Sequence, residues 1–295
     1  MTTVFEARKI ITMNPSRPEA NHVAVRDGRI LGVGSLSELS GWGEATLDRR
    51  FADKVLMPGL VEGHSHVSEG VFWKSVYCGY FDRMDPDGRI WPGLKSVEAV
   101  LLRLREAERA LGDPAGPLTG WALDPIYFGS ARIGRADLDL VSTARPIAVM
   151  HASGHILSVN SKALELSGFL RAGINHPGIP LGPDGLPTGE LKGPEAMMQA
   201  GRHAGFDREL QAGDEAGLRQ FARLCVRKGV TTATDLASPL PDDAVDMMLS
   251  VTGEDRFPAR IVPFRRFVGM TPRALIDRAI ELRPRSTDHL RLGAV

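Results

Sequence analysis

The sequence predicts an α/β fold, a run of βα repeats of barrel type behind a small N-terminal β unit, and three observations carry that expectation. The apolar stretch Val55-Leu56-Met57-Pro58-Gly59-Leu60-Val61 runs into Glu62-Gly63-His64-Ser65-His66, an extended segment that ends in two histidines. Residues 214–228 set Leu218, Phe221, Leu224 and Cys225 on one helical stripe, stopped by Gly229 and followed by the β-branched run Val230-Thr231-Thr232-Ala233-Thr234-Asp235. Two short apolar runs, 22–26 and 29–33, flank Asp27-Gly28, a strong hairpin signal.

The bulk numbers narrow the function classes. A chain of 295 residues holds one large domain or two of ordinary size. Lys+Arg and Asp+Glu balance at 36 each, so there is no basic footprint for nucleic acid or an anionic membrane, and a small neutral or mixed-charge substrate fits better. No segment approaches the roughly 20 apolar residues of a membrane span, and no N-terminal apolar core has the length of a secretory signal. A cytoplasmic location is the expectation. Cys78 and Cys225 stand far apart and outside any Cys-x-x-Cys pattern, which leaves no disulfide framework and no thiolate zinc site. Both read as buried thiols, Cys225 on the apolar face of its helix.

Residues 3–56 read as a small antiparallel β unit, with His22 at a strand edge or on the surface. Side chains alternate along a strand, so His64 and His66 point to one side of the backbone and can present two imidazoles to one ion. Neutral imidazole suits zinc, iron, nickel or copper, and Gly59 and Gly63 relieve crowding at such a point. Residues 67–94, rich in Gly, Asp, Pro and aromatics, read as an irregular loop over a site. Ser96 caps a helix bearing Val97, Val100, Leu101, Leu104 and Leu111. Residues 147–150 form a continuous apolar run behind Pro146, the pattern of a buried parallel strand, with His151 and His155 at its end. In a βα architecture that end is the functional one, which makes His155 a candidate for substrate contact or proton handling; bonding to loop backbone is its alternative role. Asn160 caps a helix over 161–166 that Gly168 stops. Residues 175–187 are turn-rich, and His176 and His203 have no ligand-like context. Asp235, placed at a strand terminus, is a second candidate, with capping of the next turn as its other role. Further strands are expected at 260–264 and 289–295, with a helix from Thr271-Pro272 between them.

Three motif blocks carry a family resemblance. Residues 57–66 resemble the Pro-Gly-(apolar)-(apolar)-(acidic)-x-His-x-His signature of the amidohydrolase superfamily. Gly120-Trp121 with Asp124-Pro125, and Arg145-Pro146 through Gly154-His155 to Val159-Asn160-Ser161-Lys162-Ala163-Leu164, resemble its YtcJ-like branch, which includes N-substituted formamide deformylases. Thr188-Gly189-Glu190 and Glu195 resemble a further segment, in which either Glu190 or Glu195 is the acidic counterpart.

The resemblance implies a metal-dependent hydrolase of the TIM (β/α)8 barrel type, incomplete here. Residues 1–56 would form part of a composite β-sandwich, and 57–295 the first part of the barrel with an inserted segment around 67–200. It implies one or two divalent ions, zinc first, on His64 and His66. His155 and Asp235 then become catalytic candidates, and Trp121 and Asp124 substrate-binding ones. The expected reaction is cleavage of a C–N bond in a small non-peptide amide, N-substituted formamide-like, by a possible homodimer. The same fold also admits cyclic amide, carbamate or ester hydrolysis, an isomerisation, or a non-catalytic truncated barrel. Because Leu290-Arg291-Leu292-Gly293-Ala294-Val295 stops inside an apolar strand, the chain is expected to be the N-terminal half of a longer enzyme and inactive alone.

Overall fold

Strand β1 (Thr2–Ile11) buries Val4, Ala7 and Ile10 and pairs antiparallel with β2 (Glu19–Arg26), which pairs antiparallel with β3 (Arg29–Gly34). The β2–β3 connection is the expected two-residue hairpin: Asp27 and Gly28 take φ of 51° and 73°, the left-handed pair a primed turn requires. A fourth strand, β4 (Ala45–Leu56), runs parallel to β1 and completes the order β3-β2-β1-β4. The expectation of a purely antiparallel unit is therefore corrected. A short helix, Leu36–Leu39, capped by Ser35, lies in the crossover that returns the chain in the direction of β1. His22 also departs from expectation: β2 lies inside the sheet, and the histidine is buried.

The structure is a computed structural model that describes residues 1–113, 115–129, 131–206, 213–266 and 269–295. The chain divides into two units, Met1–Leu60 and Val61–Val295. The second is mixed α/β. It takes all of β5 (Leu60–Ser65) but Leu60, then the helix Glu69–Phe72, followed by three two-residue strands: β6 (Val76–Tyr77), β7 (Arg83–Met84) and β8 (Ile90–Trp91). After the helix Val97–Ala110, with Ser96 Oγ accepting from Ala99 N at 3.2 Å, come β9 (Leu118–Leu123), β10 (Ile147–His151), β11 (Ile156–Val159) and β12 (Glu190–Lys192). Strands β13 (Val230–Ser238) and β14 (Arg260–Arg265) follow, each preceded by a helix, Glu215–Arg227 and Asp242–Thr252.

Two sheets organise this unit. One has the order β12-β11-β10-β9-β6, parallel over β6, β9 and β10 and antiparallel through β11 and β12. The other has the order β14-β13-β5, with β13 and β14 parallel. The strand expected at 289–295 is reduced to two isolated parallel bridges, Ile261↔Leu290 and Phe264↔Ala294. The second sheet owes its position to a core in which Leu218, Phe221, Ala222 and Cys225 of the Glu215–Arg227 helix meet Ala233, Ile261 and Leu290. Full burial stabilises each large side chain there by about 1.5–3 kcal/mol. Asn160 ties β10 to the following helix: its Oδ1 accepts from Ile147 N and Ala163 N, and its Nδ2 donates to Ser142 O and Arg145 O. Among the described residues no helix is long and apolar enough to cross a membrane.

Candidate metal centre and its cavity

β5 carries His64 near its end and His66 one residue beyond it. The pleat sends both to one side, and the ring centroids lie 5.8 Å apart with the planes at 83°. Two imidazoles bound to one tetrahedral ion through nitrogens about 2.0–2.1 Å away have ring centres about 5 Å apart, so the pair fits a shared cation. Asp235 of β13 is buried, and its Oδ1 lies 3.2 Å from His66 Nδ1. With the carboxylate accepting from Nδ1, Nε2 of His66 keeps its lone pair for a metal, the tautomer that a carboxylate–histidine pair imposes. The hydrogen bond to Asp235 raises the pKa of His66 against the opposing effect of burial.

Side-chain bonds fasten β5 to its neighbour around this point. Ser65 Oγ donates to Thr234 O at 2.5 Å, Thr234 Oγ1 donates to Glu62 O at 3.2 Å, and the Glu62 carboxylate accepts from His64 N at 2.9 Å. No three His, Cys, Asp or Glu side chains among the described residues gather as a ready coordination set. The donors present are thus two imidazoles, one of them oriented by a carboxylate, a set that suits a borderline divalent ion and supplies half of a tetrahedral shell. Asp235 does not end its strand, as the sequence suggested. β13 runs on to Ser238 through an irregularity in its register with β14 between Asp235 and Ser238. Such a local break re-aims side chains next to a site.

The two histidines and Asp235 open onto a cavity of about 1380 Å³, which Trp121, His151 and His155 also line. Five of the six candidate residues therefore share one space. Asp124 is the exception: its Oδ1 accepts from Ile126 N at 3.2 Å and caps the turn of 3-10 helix Pro125–Phe128. His155 is exposed in the 152–155 turn, its backbone N–H on Ser153 Oγ at 3.3 Å. Trp121 is 5% exposed, with its ring against Phe72, Trp73 and Tyr77 and the Arg83 guanidinium 5.2 Å from its centroid. Its indole N–H is sealed from solvent and has no partner among the described residues. Trp121 is thus a wall of the cavity rather than an open platform. Glu190 faces Arg132 at 3.3 Å and Glu195 lies 3.7 Å from His176; neither lines the cavity.

Sequence reasoning passed over His151. It is buried, its Nε2 lies 2.9 Å from Ser158 Oγ, and burial, reinforced by the Arg132 charge, pushes its pKa down to about 4. Its place directly after the apolar run was the available signal. Cys225 also borders the cavity, and burial pushes its thiol up to about 11; Cys78, in the core under β9, is pushed up to about 12.

Comparison with known proteins gives the family and the fold. A family model described as the amidohydrolase family matches residues 52–295. The Protein LONG AFTER FAR-RED 3 of Arabidopsis thaliana is 28% identical over 238 residues, covering 79% of this chain and 38% of that protein. The Exoenzymes regulatory protein AepA of Pectobacterium carotovorum subsp. carotovorum is 27% identical over 169 residues, covering 56% of this chain and 34% of its own. Crystal structures of uncharacterized metal-dependent hydrolases from Pyrococcus horikoshii and Pyrococcus furiosus superpose with TM-scores of 0.59 at 16% identity. They match 99% and 100% of this chain and 53% and 56% of theirs. The chain spans well under half the length of the curated relatives and about half that of the solved structures.

Proposed function

The chain belongs to the amidohydrolase family, and from that premise we propose that it carries the metal-binding end of a hydrolase acting on a C–N bond of a small non-peptide amide, N-substituted formamide-like. The observation that carries the reading is the His64–His66 pair at the end of β5, with a buried carboxylate oriented on one of its rings. We read β5, β13, β14 and the bridged segment after 288 as neighbouring staves of a (β/α)8 barrel, and the four-stranded N-terminal sheet as one layer of a composite sandwich. Strand termini are where such a barrel carries its chemistry.

A divalent ion, zinc first, would be held by His64 and His66, and the chemistry it supplies is activation of water near neutral pH and polarisation of an amide carbonyl. The residues of this chain set the conditions for that chemistry. Asp235 accepts from His66 Nδ1 and so fixes which ring nitrogen is free. Glu62 accepts from the backbone of His64 and holds the end of β5 in register. Phe72, Trp121, Phe206, Met150 and Met197 give the cavity an apolar side that excludes water and suits an apolar substituent on the substrate nitrogen. His155, exposed on the same cavity, is the group placed to exchange protons with solvent.

The test is turnover. The protein, in the longest form its gene encodes, is loaded with zinc and given formanilide, and release of aniline is followed with and without a chelator. Chelator-sensitive release supports the reading, and release indifferent to the chelator rejects it.

A further inference from the structure

The β9–β10 pair is irregular where it meets the cavity. Val149 faces Gly120 and His151 faces Leu123, so Trp121 and Ala122 together stand opposite Met150 alone. Ala122 takes φ of 68°, a left-handed conformation for a residue with a Cβ. Distortion of this kind is retained where a side chain must be aimed. The side chain beside it is His151.

The proton on that ring can be located by counting donors. Ser158 is fully buried, and among the described residues its hydroxyl has one hydrogen-bonding neighbour, His151 Nε2 at 2.9 Å. A buried hydroxyl proton needs an acceptor, and Nε2 is the acceptor present. Ser158 therefore donates, and the neutral imidazole carries its hydrogen on Nδ1. Nδ1–H is then the ring's remaining donor, without a partner among the described residues, and His151 lines the cavity. Burial keeps the ring uncharged through the neutral range.

We propose that His151 is a substrate-binding residue whose Nδ1–H donates a hydrogen bond to a neutral carbonyl oxygen of the substrate. The ligand class rests on the amide-hydrolase reading; the donor itself does not. A neutral donor suits a neutral acceptor, and Arg83, the cation stacked on Trp121, is already paired with Glu69. Ser158 is the positioning residue behind it. A site built around such a donor rejects ligands that lack the acceptor, because the N–H would otherwise lose its water without replacement.

The experiment is nitrogen-15 NMR of histidine-labelled, zinc-loaded protein, titrated with formanilide and, in a second arm, with N-methylaniline, which lacks the carbonyl. His151 is expected to show a protonated Nδ1 and an unprotonated Nε2, and formanilide, not N-methylaniline, is expected to shift the Nδ1 proton. A protonated Nε2, or an Nδ1 proton unmoved by formanilide at its solubility limit, overturns the proposal. In calorimetry, His151→Phe is expected to lower the preference for formanilide over N-methylaniline by about tenfold, and an unchanged preference also overturns it. If chelator-sensitive turnover is absent while these results hold, the amide-hydrolase reading fails and the donor stands. If turnover is present and the tautomer is reversed, this inference alone fails.

Discussion

His66 Nδ1 and Asp235 Oδ1 lie 3.2 Å apart although 169 positions separate the two residues in sequence. The contact joins β5 to β13 and orients the imidazole, because the carboxylate decides which nitrogen of His66 faces outward.

Asp235→Asn should therefore weaken metal binding without abolishing it. Loss of an orienting carboxylate typically lowers metal affinity about 10–100-fold. Competition against a coloured chelator measures the change. Affinity equal to wild type would show that Asp235 does not orient the ligand.

His151 predicts an acid limb of stability. Its folded-state pKa is about 4 against an ordinary 6.5, so between those values the unfolded chain binds the extra proton and the folded chain does not. Stability is unaffected above pH 6.5, falls as the pH drops towards 4, and levels off below it. The shift corresponds to about 3 kcal/mol. Urea unfolding across this range should show the decline in wild type and a shallower one in His151→Gln. Parallel curves would place the titration elsewhere.

Asn160 makes four hydrogen bonds while fully buried. Asn160→Ala strands two N–H donors and weakens two carbonyl acceptors at once, for a loss of about 3 kcal/mol or more. A urea midpoint within experimental scatter of wild type would contradict this.

Cys78 and Cys225 are both buried, with thiols pushed up to about 12 and about 11. Neither should react with a disulfide reagent at pH 8 in the native protein, and both should react once it is unfolded. Rapid native labelling of Cys225 would mean that its thiol is reached through the cavity it borders.

Local signals were legible in the sequence and long-range ones were not. The Asp27-Gly28 turn, the caps at Ser96 and Asn160, the helix start at Thr271-Pro272, and the shared face of His64 and His66 each depend on a few adjacent residues, and each is present. The parallel course of β4, the interior place of β2 that buries His22, and the extension of β13 beyond Asp235 depend on which strands meet. Periodicity within one segment carries no record of that. The relative burial of His151 and His155 was hidden for the same reason. Both follow one apolar run, but only His151 is enclosed, in register beside β9, while His155 lies in the turn that follows.

If His64 and His66 together hold a divalent cation, elemental analysis of purified protein reads it out. Wild type should carry at least one equivalent of zinc or a similar ion per chain, and the double variant His64→Ala, His66→Ala, confirmed folded by circular dichroism, should carry less than a tenth of that. Undiminished metal in the folded double variant would place the cation elsewhere.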